Sequence, residues 1–240
     1  MTAPAFTCLI PAYNEAARIA GVLAAVHQHP LLYEVIVIDD GSTDDTARIA
    51  ESCGARVIRT SGNLGKTHAL VHGFRKVATT HVVLLDADLI GLTASDVTAL
   101  VSPVRDGWAV ASISLRGNAP WVWRMIGIDY ISGERALPCQ LVTEHLDAMI
   151  RLPRFGFEVF LNQLLLGTGR QVAIVPLPDV ASPSKATKRG LIRGVVADLA
   201  MLIDIFRTVS PYTALHQIWT LRSRRMGMAK RGIARQLSMR

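Results

Sequence analysis

An α/β fold built on a mostly parallel sheet is predicted by three observations. Two strongly apolar runs, Val35-Ile36-Val37-Ile38 and Val82-Val83-Leu84-Leu85, read as strands buried on both faces. Each closes on carboxylates, Asp39-Asp40 in the first case and Asp86-Ala87-Asp88 in the second. Between the runs, apolar residues recur at helical spacing, so strand and helix segments alternate as parallel crossovers require.

Taken in order, Phe6–Ile10 is a first buried strand, Pro11-Ala12-Tyr13-Asn14-Glu15 a loop, and a helix follows to about His27 with Ile19, Val22, Leu23 and Val26 on one face. Glu34–Ile38 is the second strand. Gly41-Ser42-Thr43-Asp44 supplies a turn and a cap for a helix through Ala47, Ile49 and Ala50, and Ala55–Arg59 is a third strand. Gly62-Asn63-Leu64-Gly65-Lys66-Thr67 enters a helix to about Val77, and His81–Leu85 carries the second acidic pair. The spacing of a Walker phosphate loop is absent there. Further on, Ala94–Val104 is predicted helical and Ala109–Leu115 extended. An apolar cluster follows at Trp121, Trp123, Met125 and Ile126, and Ser132-Gly133-Glu134-Arg135 reads as a polar turn. Gly156–Leu161 opens a helix with the isolated carboxylate Glu158, and Gln171–Pro176 is a late strand.

The formal charge of +7 is unevenly spread: residues 181–240 hold 12 Lys/Arg against 2 Asp/Glu, and no acid follows Asp204. From Leu191 to Val209, and again over about Ala214–Met228, apolar and basic residues segregate as in a helix lying at a membrane interface, with Trp219 and Leu221 beside Arg222, Arg224 and Arg225. A helix docking on its own domain has the same pattern. The sequence therefore divides into a body, residues 1–182, and a basic amphipathic helical extension, 183–240, expected to meet an anionic membrane surface. Nucleic acid is not an expected partner, because the body is acidic and no aromatic-basic motif is visible. Three cysteines, Cys8, Cys53 and Cys139, without C-x-x-C spacing, point to a reducing cytoplasm. Met1–Phe6 lacks the basic-then-apolar layout of a signal peptide, and no apolar stretch reaches the roughly 18 residues of a membrane span. A cytoplasmic protein, peripheral at the inner membrane face, is expected; the oligomeric state is open.

Chemistry is expected at the strand tips. Carboxylates one residue apart can share a hard divalent cation that keeps open positions for a substrate's phosphates, and a nucleoside diphosphate is the natural guest. Acids at strand ends also serve as turn formers, but two such pairs on successive buried strands favour a site. Lys66 is a candidate phosphate contact or a surface lysine. His68 and His72, four apart on one helix, have no further ligand motif and read as surface residues.

Pro11-Ala12-Tyr13-Asn14-Glu15, Val37-Ile38-Asp39-Asp40-Gly41-Ser42-Thr43-Asp44, Asn63-Leu64-Gly65-Lys66 and Leu85-Asp86-Ala87-Asp88 occur in the order that resembles family 2 glycosyltransferases of the GT-A fold. The likeness is strongest over residues 5–90. It implies a mixed, mostly parallel sheet flanked by helices, a UDP- or GDP-sugar donor, and Mg²⁺ or Mn²⁺ as cofactor. By the same likeness Pro11, Tyr13 and Glu15 line the nucleobase and ribose pocket, Asp40 accepts a hydrogen bond from the base with Asp39 close by, and Asp86-Ala87-Asp88 is the D-x-D element whose two acids bind the metal. Within the family the chain is similar to the dolichyl-phosphate mannose and glucose synthase group, which implies a lipid-phosphate acceptor. Arg116 and Arg135 would then neutralise phosphates, Glu158 would face the sugar, and Ser184-Lys185 would match the end of a closing segment, with Lys188 and Arg189 nearby. Ile90 departs from the Gln or His often found two residues after the second metal acid. A phosphate acceptor needs only positioning, whereas a hydroxyl needs a base, for which Glu134 and Glu158 are the candidates. The alternatives are transfer to a soluble phosphorylated or hydroxyl acceptor, and a nucleotide-sugar binding module without turnover.

Overall fold

A computed structural model of the chain describes residues 5–152, 156–183 and 209–227. Lys185, Lys188, Arg189 and the expected amphipathic helix up to residue 208 lie outside these residues. The described elements run β1 (Phe6–Ala12), α1 (Ile19–Val26), β2 (Leu32–Asp39), α2 (Thr46–Ser52), β3 (Arg56–Arg59), α3 (Lys66–Phe74), β4 (His81–Leu84), α4 (Ala94–Arg105), β5 (Ala111–Arg116) and α5 (Trp121–Ile126). They continue with β6 (Arg135–Pro138), α6 (Gln140–Thr143), α7 (Leu146–Met149), α8 (Gly156–Gly167), β7 (Val172–Leu177), α9 (Pro211–Ser223) and β8 (Arg225–Gly227).

The strands form one sheet in the order β3-β2-β1-β4-β6-β5-β7-β8. All neighbours are parallel except around β6, which runs antiparallel to both β4 and β5. The apolar runs make central strands because alternate side chains enter different layers. Phe6, Cys8 and Ile10 of β1 pack with Ile19, Val22, Val97 and Leu100 on one side. Leu9 packs with Leu70, Phe74 and Leu137 on the other. Helix α4 starts where Thr93 and Asp96 form a reciprocal cap, the Thr93 amide donating to Asp96 Oδ2 at 2.9 Å.

Two expectations are corrected here. Residues 132–135 are no solvated turn: Ser132, Glu134 and Arg135 are fully enclosed, and Arg135 begins β6. The cause is pairing, because Arg135 Nε donates to Ser132 O at 2.8 Å, Nη1 to Asn162 Oδ1 at 2.7 Å and Nη2 to Tyr130 O at 3.2 Å. The helix expected to reach Met228 stops at Ser223, and Arg225–Gly227 joins the sheet edge beside β7. Residues 209–227 therefore contribute to the same sheet and core. Ser210 Oγ caps α9 by accepting the Thr213 amide at 3.1 Å, and Pro211 occupies its first turn. Ala214, Gln217 and Leu221 are buried, while Tyr212, Leu215 and Trp219 face outward. Among the described residues no helix is long and apolar enough to cross a membrane.

Candidate active site

The carboxyl ends of β1, β2 and β4 meet at one cleft of about 330 Å³, the place where an open parallel sheet takes its ligands. Pro11, Tyr13, Glu15, Asp40, Lys66, Asp86, Ala87 and Asp88 all line it, with Asn63 and Gly65. The two acidic strand tips thus share a single cavity.

The motifs that form its wall are fastened to one another. Asn14 takes a left-handed backbone conformation (φ 54°), which Asn tolerates better than most residues, and its Oδ1 accepts the Thr43 amide at 2.8 Å. In return the Asn14 amide donates to Ser42 Oγ at 3.0 Å and the Glu15 amide to Thr46 Oγ1 at 2.8 Å. Gly41 (φ 75°) approaches Gly62 so closely that a Cβ there would lie 2.6 Å from a backbone carbon, so only glycine fits. Asp39 turns the chain by accepting the Ser42 amide at 3.2 Å and is itself outside the cleft lining. Asp40 fixes the next loop: Oδ1 accepts the Leu64 amide at 3.1 Å and Thr60 Oγ1 at 3.2 Å, and Oδ2 accepts the Gly65 amide at 2.7 Å. A carboxylate has about four acceptor positions, so the three bonds leave one unused on a residue that lines the cleft.

The end of the cleft at the tip of β4 is charged. Lys66, the first residue of α3, reaches across to Asp86 Oδ1 at 2.7 Å and Glu158 Oε1 at 3.1 Å. Burial acts to raise the Asp86 carboxyl, yet Lys66, with help from Arg116, holds it below the ordinary value. Asp88 lacks the lysine: burial first, then Asp86 and Glu15, push it up to about 6 against a smaller opposing pull from Arg116. Asp88 forms no hydrogen bond or ion pair with the described residues, whereas Asp86 is held by the Lys66 ammonium. A desolvated, unpartnered carboxylate beside a second one suits a divalent cation. Among the described residues no three His, Cys, Asp or Glu side chains gather into a metal site, so two acids would depend on substrate phosphates and water for the remaining positions. His68 and His72 are not part of this cluster.

Behind the cleft lies a buried polar group. Arg116 Nη2 donates to Asp129 Oδ2 at 3.2 Å, its Nε lies 3.6 Å from Glu134 Oε2, and Nη1 reaches Ser182 Oγ. Glu134 Oε2 also accepts Ser114 Oγ at 2.6 Å and Ser132 Oγ at 2.9 Å. Burial, opposed by Arg116, pushes Asp129 up to about 6. Glu134 and Arg135 are thereby enclosed supports. Among the described residues, the Glu158 side chain pairs with a cleft residue, Lys66, at 3.1 Å. Gly133 was read as part of a turn and is more: a Cβ there would lie 2.6 Å from Asp86 Oδ1 and 2.7 Å from Lys66 Nζ. The Gly beside two buried charges is the one sequence signal that pointed to it.

The model of the family described as glycosyl transferase family 2 matches residues 7–141, which contain every cleft residue. The chain belongs to glycosyl transferase family 2. It is 40% identical over 103 residues to the 4,4'-diaponeurosporenoate glycosyltransferase of Staphylococcus aureus, a match over 41% of this chain and 28% of that relative. The chain thus spans well under half the length of the curated relatives it matches. Among solved structures, glucosyl-3-phosphoglycerate synthase from Mycobacterium tuberculosis in complex with Mn²⁺ and UDP-glucose superposes with a TM-score of 0.62 at 27% identity, over 82% of this chain and 78% of that one. The same enzyme with Mg²⁺ and UDP gives 0.63 at 25% identity, over 81% and 79%. The mixed, mostly parallel sheet and flanking helices are those expected of the GT-A fold. The family is settled at this level; the polyprenyl-phosphate sugar synthases are not singled out among its members.

Proposed function

We propose that this chain transfers a hexose from a nucleoside diphosphate sugar to a lipid-linked phosphate acceptor, working as a peripheral protein at the cytoplasmic face of a membrane with Mg²⁺ or Mn²⁺ as cofactor. The observation that carries the donor half is one cleft uniting Pro11, Tyr13, Glu15 and Asp40 with Asp86 and Asp88. Tyr13 and Pro11 offer a flat apolar wall for a base, and Asp40 keeps an acceptor position for its N–H. The neighbours solved with UDP or UDP-glucose support UDP over GDP.

Asp88 and Asp86 would hold the cation, which when bound offsets charge developing on the leaving diphosphate. The remaining work falls to the chain. Lys66 supplies a cation at the diphosphate end, and the fixed loop 62–65 sets the depth to which the nucleoside enters. An acceptor phosphate is already ionised and requires positioning rather than proton removal. For a hydroxyl acceptor Glu158 is the carboxylate within reach of the cleft through Lys66.

For the acceptor, the outward face of α9 is the supporting feature: Tyr212, Leu215 and Trp219 are 79, 61 and 69% exposed, with Arg222 also outward and a basic stretch beyond. Such a face suits an anionic bilayer surface. The carotenoid acid in the name of the staphylococcal relative also favours an apolar acceptor. A soluble phosphorylated acceptor is the second reading, favoured by the neighbour solved with phosphoglyceric acid.

Incubation with UDP-glucose and Mn²⁺ in the presence of either a membrane lipid extract or 3-phosphoglycerate, with UDP release and labelled product followed, separates the two. Label in the lipid phase and co-sedimentation with anionic vesicles are expected. Label only in 3-phosphoglycerate, without vesicle binding, would replace the lipid reading with the second one. No UDP release from any nucleotide sugar would overturn both.

A further inference from the structure

Lys66 stands where the donor's cation is needed. Its ammonium lies 2.7 Å from Asp86 Oδ1 and 3.1 Å from Glu158 Oε1, and Gly133 closes the space behind the pair. The backbone of this lysine is not free to follow its side chain, because the preceding Gly65 amide is bound to Asp40 and α3 begins at Lys66 itself. The side chain is different. It is 37% exposed, Asp86 is 25% exposed, and both open on the cleft, so the ammonium can turn outward without disturbing the core.

A divalent cation placed on Asp86 and Asp88 would meet this ammonium at close range, and like charges there repel strongly in a partly desolvated site. Asp88 alone, with no partner of its own among the described residues, is a weak ligand set. An arriving diphosphate changes the balance, since its oxygens offer the ammonium a new anion while adding ligands for the metal.

We propose that Lys66 is an internal counter-ion for Asp86 that is exchanged for the divalent cation when a nucleoside diphosphate takes up its ammonium. The exchange makes the empty cleft a poor metal site and couples metal to donor, each raising the affinity of the other as linkage requires. Glu158 keeps the departing side chain close, so the swing is short. This inference rests on the donor site described under Proposed function.

Titration calorimetry with Mn²⁺ alone, UDP alone in EDTA, and Mn²⁺ in the presence of UDP tests it on the full chain and on Lys66→Met and Lys66→Arg. Lys66→Met is expected to bind Mn²⁺ alone about tenfold more tightly than the parent and UDP alone more weakly, so that the coupling between them shrinks about tenfold. Lys66→Arg, which keeps the charge, should retain most of the coupling. Should the Met variant unfold, Lys66→Gln keeps a hydrogen-bond donor without the charge and should behave in the same direction. Uncharged variants that bind Mn²⁺ alone no more tightly than a parent that does bind Mn²⁺ and UDP would overturn the exchange and leave the donor site standing. A parent that binds no Mn²⁺ even with UDP would overturn both.

Discussion

Gly133 and Asp86 touch so closely that one methyl group cannot be placed between them: a Cβ on residue 133 would lie 2.6 Å from Asp86 Oδ1. The obstructing atoms are the far ends of Asp86 and Lys66 rather than backbone, so Gly133→Ala should fold and yet displace both charged groups. We expect a melting temperature within a few degrees of the parent, together with a fall in kcat/KM on the order of a hundredfold, as misplacement of about 1 Å can cause. Circular dichroism and a UDP-release assay check the two halves; an unchanged kcat/KM would show that Asp86 is not needed where it stands.

Asp40 ties the tip of β2 to the loop that leads into Lys66. Asp40→Ala leaves the Leu64 and Gly65 amides without their acceptor, a loss of about 1–3 kcal/mol for each group that stays buried. Urea denaturation should show reduced stability, and UDP binding should weaken. Asp40→Asn, which keeps one acceptor oxygen, should lie between. Equal stability of Asp40→Ala and parent would show that the loop is held by other means.

The raised Asp88 carboxyl gives a signed pH dependence. Its value in the fold, about 6, stands above the ordinary 3.8, so the folded chain holds the proton more firmly than the unfolded one. Without metal, the stability contributed by this group is full below about pH 4 and is lost as pH rises through about 6. Asp88→Asn removes that loss and should melt higher than the parent at pH 7.5 in EDTA. Metal binding runs the other way: a proton on Asp88 competes with Mn²⁺, so affinity in the presence of UDP should drop by up to about tenfold per unit below pH 6. Thermal shift measured across pH with EDTA or with Mn²⁺ and UDP checks both directions. A parent stability that rises between pH 4 and 6 relative to Asp88→Asn would contradict the assignment.

Tyr130 donates its hydroxyl to Gln217 Oε1 at 2.7 Å, both buried, and its ring lies 5.7 Å from Trp123. Gln217→Leu leaves that hydroxyl without an acceptor and should lower unfolding stability by about 1–3 kcal/mol. A single cooperative transition in urea is expected, because α9 belongs to the same core as α8 and α5. An early transition confined to the C-terminal segment would argue instead for an independent appendage.

The cleft at the strand tips was legible because its residues are local in sequence: each strand delivers its own acids, and each following loop carries its own turn residues. The interlocking of Asn14 with Thr43, or of Asp40 with Leu64 and Gly65, needed the fold but not any unexpected element. The enclosed polar group around Arg116 and Arg135 was harder. Arg135-Ala136-Leu137-Pro138 is too short for a period to show and is bounded by a charge and a proline, so nothing marked it as a strand. Arg135 read as exposed because charged residues are rarely enclosed without partners, and its partners at Tyr130, Ser132 and Asn162 come from a loop and a helix that the pattern could not bring together. Residues 225–227 read as helix because arginines suit a helix as well as an edge strand; the open hydrogen-bonding side of β7 decided otherwise.

The reversed direction of β6 makes residues 128–134 unusually intolerant of length change. Ala136 belongs to one side of the sheet and Leu137 to the other, while Arg135 pairs with Leu84 two residues before Asp86. Deleting one residue upstream would slip this ladder and turn every side chain of the strand over. An indel there would be a joint lesion, emptying two hydrophobic layers and stranding a guanidinium at once, and libraries that vary this side of the cleft should substitute within the stretch while holding its length fixed.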